Sequence, residues 1–176
     1  SPPMTQEPRL GCGAAILQEG KLLFIKRRRA PEADHWGLPG GKVDLLETVE
    51  HAVKREINEE LGIRLGGLEL LCVVDLIDAD GPEHWVAPVY LATRFEGTPH
   101  LVEPEKHSDF GWFALDALPE PLTESTRVAA RHLRSRMALA PNGAKTPNRT
   151  TLAAMLEAER VAARFPRGEE PNGEVP

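Results

Sequence analysis

The chain has 176 residues, a formal net charge of −6 and 41% hydrophobic residues, with three Trp and five Phe. That is material for one ordinary domain and a tail, and the acidic balance argues against an extended nucleic-acid-binding surface while leaving room for a local basic pocket. No apolar run approaches the ~20 residues of a membrane span, and the start lacks a signal peptide's basic and apolar regions, so the expected location is cytoplasmic.

In chain order, Ser1-Pro2-Pro3 reads as a tag remnant ahead of a natural start at Met4, and residues 1–8 as an N-terminal tail. Residues 10–17 (LGCGAAIL) and 21–26 (KLLFIK) are apolar runs of strand length, with a hairpin turn at Glu19-Gly20. The stretch KRRRAPEADHWGLPGGK, rich in Pro, Gly and charge, predicts a loop. A helical pattern runs from Thr48 to Leu61, and Gly62 stands where a helix end favours a left-handed residue. Residues 68–77 and 85–95 read as strands, and Pro88 marks the second as an edge or a bulge. A shorter strand follows at 110–115, then a helix over about 123–139 behind Pro119 and Pro121. Beyond the domain at 9–139, residues 140–176 comprise a linker and a helix over 150–164, with Leu152, Met155 and Leu156 on one apolar side. That helix could dock on the domain, mediate a homodimer or bind a partner. Cys12 and Cys72 are far apart in apolar runs without zinc spacing, as buried reduced thiols are. Strands first, one helix between strands and a late helix predict a mixed α/β (α+β) sandwich rather than a doubly wound sheet.

The helix at 48–61 carries the chemical signal. On a wheel at about 100° per residue, Val49, Ala52, Val53 and Ile57 form an apolar stripe, and His51, Lys54 and Asn58 face away. Glu56 and Glu60 fall inside that stripe and Glu59 at its border. Several carboxylates buried together are unfavourable unless a cation neutralises them. The bland alternative is a solvated helix whose Glu50–Lys54 pair and acidic end are ordinary surface charge.

Context decides between the two. Gly41, five residues, Glu47, seven residues, Arg55-Glu56-Ile57, one residue, Glu59-Glu60, one residue and Gly62-Ile63 together resemble the Nudix box with no position missing. The resemblance covers 41–63 directly and about 9–139 loosely. It implies an α/β/α sandwich with the box as loop–helix–loop and divalent cations, Mg²⁺ or Mn²⁺, held there by oxygen ligands. It further implies Glu56, Glu59 and Glu60 as metal ligands, the Gly40 carbonyl as another, and Arg55 pairing with Glu47 to lock loop against helix. One departure is Leu46, where many members carry Gly before the first Glu.

A second constellation, EPEKHSDFGWF at 103–113, resembles the loop that supplies members with a further Glu for metal binding or base catalysis. Glu105 is the first choice for that role and Glu103 the runner-up; Lys106 and His107 could touch phosphate or be structural. Among Lys26-Arg27-Arg28-Arg29, Arg27 and Arg28 are candidates for substrate phosphate. Trp36, Trp85 and Phe110 are candidates for stacking a base, although core packing suits each of them as well. The implied reaction is hydrolysis of a diphosphate bond in a small nucleotide. A nucleoside triphosphate cut to monophosphate and pyrophosphate comes first, and ADP-ribose or a nucleotide sugar second. A non-catalytic nucleotide-sensing module is the rival from another class, but such modules usually lose box carboxylates.

Overall fold

The computed structural model describes residues 7–78 and 80–139, so the helix expected at 150–164 lies outside them. Strand β1 (Arg9–Gln18) turns into β2 (Lys21–Arg27) through Glu19 and Gly20, with φ of 53° and 76°. Positive φ at both central turn residues matches the twist of the strands they join. Two short strands, β3 (Trp36–Gly37) and β4 (Gly40–Lys42), interrupt what the composition marks as a single loop. Helix α1 (Val49–Leu61), β5 (Arg64–Leu65), β6 (Leu68–Ile77), β7 (His84–Ala92), β8 (Phe95–Glu96), β9 (His107–Ala114) and α2 (Glu124–Ala138) follow.

Seven strands form one mixed sheet with the path β3-β2-β1-β7-β6, to which β4 adds on β1 and β9 on β2. β1 and β7 run parallel and the other pairs antiparallel. Helices cover both faces. Cys12, Ala14 and Ile16 of β1 with Leu23 and Ile25 of β2 join Ala52, Val53, Ile57 and Leu61 of α1. The alternate residues Ala15, Leu17, Leu22 and Phe24 join Ala129 and Leu133 of α2. With both faces buried, β1 and β2 have no polar face to show, which is why their sequences read as unbroken apolar runs. The result is the α/β/α sandwich expected.

Two sequence expectations need correction. The run at 85–95 is not one strand: β7 ends at Ala92, and Phe95–Glu96 pairs with Arg64–Leu65 in a separate two-stranded sheet. Pro88 sits on neither an edge strand nor a register-shifting bulge of its own strand, since β7 lies between β1 and β6. The β1–β7 ladder instead pauses between Leu10–Val86 and Gly13–Val89 and resumes in the same register. The pause falls at Pro88, which has no N–H to donate. No helix among the described residues is long and apolar enough to cross a membrane.

Candidate active site

Helix α1 starts where the extended Thr48 accepts the His51 N–H at 3.2 Å, and ends at Gly62 with φ of 69°. The left-handed backbone of Gly62 is what favours glycine there, and a Cβ would in addition make the exposed His100 ring move aside. The His100 and Val102 N–H groups donate to the Leu61 and Glu60 carbonyls at 3.0 and 3.2 Å. Those carbonyls would otherwise be left open by the helix end. The same bonds moor the chain before β9 against the C-terminal turn of α1, which brings Glu103 and His107 to the box.

The three helix carboxylates differ sharply in environment. Glu60 is 3% exposed, Glu56 is half-buried and Glu59 is exposed. Glu60 Oε1 accepts the Gly40 N–H at 2.9 Å, and its Oε2 lies 3.2 Å from His107 Nε2. Burial holds the Glu60 pKa well above the ordinary carboxylate value, and the nearby charges of Glu56 and Glu103 push the same way. Burial also raises Glu56, with Glu59 and Glu103 contributing.

Arg55 ties loop to helix. Its Nε and Nη2 donate to the two Glu47 oxygens at 2.7 and 2.8 Å, and Nη2 also reaches the Lys42 carbonyl at 2.9 Å. Nη1 donates to Glu56 at 2.9 Å and, at 3.3 Å, to Glu59. The Arg55 hydrogen bonds are the main reason that Glu47 falls to about 2. Such a two-pronged guanidinium–carboxylate contact fixes orientation as well as charge.

Gly40 and Gly41 make the close approach possible. A Cβ on Gly40 would lie 2.1 Å from the Cys12 carbonyl oxygen, and one on Gly41 2.3 Å from Glu56 Cδ. Leu46, by contrast, is 98% exposed with φ of 67°, a conformation that suits glycine and strains leucine by about 1–2 kcal/mol. Part of the relief from a glycine is offset by its greater unfolded-state freedom. Leu46→Gly is therefore expected to raise the denaturant midpoint by the equivalent of about 0.5–1 kcal/mol, with turnover unchanged. A lower midpoint would mean that the leucine makes a contact worth more than its strain.

Beside these residues opens a cleft of about 910 Å³, lined by Gly40, Gly41, Glu60 and His107 and extending to Arg27 and Trp85. Of the five residues expected on substrate, these last two line it, and Phe110 packs against the core on the α1 side. Trp36 does not line it either: its ring packs edge-on against Phe113 at 5.0 Å beside the core on the α2 side. Arg28 spends its Nε on the Pro104 carbonyl at 2.8 Å, bracing the loop before β9. Glu105 is exposed and its charge bears on His107, whereas Glu103 is partly buried and bears on both Glu56 and Glu60. Lys106 pairs with Glu103 at 2.7 Å. The chain turns back at 103–107, where the Lys106 and His107 N–H groups both donate to the Glu103 carbonyl, and Glu105 is left exposed. His107 was not distinguishable from a loop histidine in sequence, since the polar residues beside it hide the fact that it begins a buried strand.

The sequence profile of the NUDIX domain matches residues 7–133. The chain belongs to the Nudix hydrolase family. It is similar to the crystal structure of a MutT NUDIX hydrolase from Burkholderia pseudomallei, with 65% identity, a TM-score of 0.71 and coverage of 72% of this chain and 98% of that one. An ADP-ribose pyrophosphatase of Methanocaldococcus jannaschii is 32% identical over 72% of this chain and 74% of its own length. The mouse oxidized purine nucleoside triphosphate hydrolase is 31% identical over 59% of this chain and 65% of its own length. As a Nudix hydrolase the chain acts on nucleotide phosphoanhydrides, and enzymes of this family generally need a divalent cation.

Proposed function

We propose that this Nudix hydrolase cuts a nucleoside triphosphate to the monophosphate and pyrophosphate, using Mg²⁺ or Mn²⁺ held by Glu56, Glu60 and Glu103. The observation that carries the reading is Glu60 in the cleft wall on the Gly40 N–H, with Glu56 against Gly41 and the Glu103 charge bearing on both. Their hard oxygens fit such a cation, and burial, with the neighbouring carboxylate charges adding to it, raises the Glu60 and Glu56 pKa values, a penalty that a cation would relieve. Among the described residues no three His, Cys, Asp or Glu side chains already converge on a single cation position, and Arg55 draws Glu56 and Glu59 toward itself. Binding would therefore require Glu56 to turn from Arg55, with Glu60 as the fixed member.

When bound, the cation polarises phosphate oxygens and makes a water acidic enough to attack phosphorus near neutral pH. The chain does the rest. Glu60 and Glu56 hold the charge, Glu103 accepts the proton of the attacking water, and Arg27 meets phosphate at the cleft wall with its planar fork. Trp85, at the far side of Gly11, offers an aromatic face to the base. Glu103→Gln is expected to lower kcat by about 10²-fold, and Glu105→Gln by less than about 3-fold. The reverse order would return the base to Glu105.

ADP-ribose is the second reading, supported by the activity named for the Methanocaldococcus relative. The deciding experiment is a product assay over nucleoside triphosphates, ADP-ribose, UDP-sugars and dinucleoside polyphosphates, with and without Mg²⁺. Cation-dependent release of a nucleoside monophosphate and pyrophosphate from one triphosphate bears out the proposal. Release of AMP and ribose phosphate from ADP-ribose alone replaces it with the second reading. Tight binding without turnover across the panel favours a sensor.

A further inference from the structure

We propose that His107 is the positioning residue for Glu60, its buried ring standing with Nε2 against the second carboxylate oxygen. The proposal rests on the reading of Glu60 as a cation ligand and adds to it the group that aims it. His107 is 7% exposed and Glu60 is 3% exposed, and they meet at 3.2 Å. The other Glu60 oxygen is already fixed by the Gly40 N–H. Two groups flank this carboxylate, the Gly40 N–H on β4 and the His107 ring at the start of β9, and together they limit its rotation. Glu56 and Glu59 share one guanidinium on the open side and lack any such clamp.

The protonation state follows from the second ring nitrogen. His107 Nδ1 is buried and has no hydrogen-bond partner among the described residues. A charged imidazolium would bury a second N–H with no acceptor, whereas a neutral ring leaves there only a lone pair, the smaller penalty. A residue serving only to fill space at this position would be better apolar, because a side chain with one unsatisfied nitrogen is a poor packing choice.

The position of His107 is itself held. Its backbone N–H donates to the Glu103 carbonyl at 3.1 Å, and the residue pairs with Arg27 across β2 and β9 where the register shifts. The imidazole therefore approaches Glu60 from a fixed strand rather than a free loop. Groups that orient a metal ligand through a hydrogen bond typically change metal affinity or activity by about 10–100-fold when removed.

The test uses the full chain with His107→Leu, His107→Gln, Glu60→Gln and the His107→Leu/Glu60→Gln double variant. Mn²⁺ binding to the resting protein is measured by titration calorimetry, alongside kcat, KM and thermal melting. His107→Leu is expected to weaken Mn²⁺ by about 10-fold or more and lower kcat by a similar factor, with KM within about 3-fold. His107→Gln, whose amide N–H can occupy the Nε2 position, is expected to recover most of both losses. In the Glu60→Gln background the His107→Leu effect on Mn²⁺ should vanish. Wild-type Mn²⁺ affinity in His107→Leu, or an equal loss with and without Glu60, overturns the proposal. If His107→Leu does not fold, a His107→Gln variant that folds yet binds Mn²⁺ 10-fold more weakly overturns it as well. Should Glu60→Gln alone bind Mn²⁺ as the wild type does, the fault lies instead with the reading of Glu60 as a ligand.

Discussion

Replacement of Glu60 by Gln is expected to lower kcat by roughly three orders of magnitude, the kinetic equivalent of about 4 kcal/mol of lost charge stabilisation. The substitution keeps the size of the side chain, and the fold should tolerate it. The amide oxygen can still accept from Gly40, whereas the amide N–H would face His107 Nε2, which accepts only by moving its proton to the partnerless Nδ1, a modest penalty. Because burial raises the Glu60 pKa, the ionised carboxylate opposes folding in the cation-free protein. Its favourable share is present below the unfolded carboxyl pKa and is lost as pH rises through the raised folded value. At neutral pH the cation-free Gln variant should thus melt no lower than the wild type, and the wild type should gain more on addition of Mg²⁺. Steady-state turnover and two melting curves check this. A fully active variant would remove Glu60 from the mechanism, and a variant that melts far below the wild type would make the carboxylate structural.

Gly40→Ala is expected to destabilise the protein by about 3 kcal/mol, at the upper end of overpacking effects. The added methyl would meet the Cys12 carbonyl oxygen at 2.1 Å and Gly13 Cα at 2.7 Å, both backbone atoms of the central strand β1. Neither can rotate away, so the β1–β4 pairing Gly13–Gly40 must open, and the N–H that holds Glu60 moves with it. The neighbouring Gly41→Ala provides the contrast. Its methyl meets the Glu56 carboxylate, the end of a flexible side chain, so its penalty should fall on activity rather than on folding. Denaturant titration of both variants separates them, and equal stabilities would show that β4 can shift as a unit.

Much of this was legible in the sequence, for reasons that differ from place to place. The box helix could be read to within a residue, because Thr48 and Gly62 are caps with specific side-chain and backbone requirements. The wheel ranked the carboxylates well, as the 3.6-residue period is a property of the helix alone. What escaped was whatever depends on distant chain segments. β3 and β4 carry too few residues to show a period, and they exist because β1 and β2 offer edges for them. Trp36 could be read as a stacking residue only while Phe113 was unplaced. The choice between Glu103 and Glu105 turned on a reversal of the chain fixed by backbone bonds to α1. His107 could be read only as a possible phosphate contact, since nothing in the sequence places it against Glu60.

The carboxylate of Glu60 is gripped by an N–H from 20 residues earlier in the chain and by a ring from beyond β8. Contacts so far apart in sequence form late, after the loops between them have been closed at an entropic loss. The box helix in isolation would carry the same acids but no grip on any of them. It would face a cation with three mobile side chains and the full conformational penalty of ordering them. Catalytic competence in this chain is accordingly a property of the completed sheet, and the signature stretch that identifies the family in sequence becomes a site only when the strands on either side of it have met.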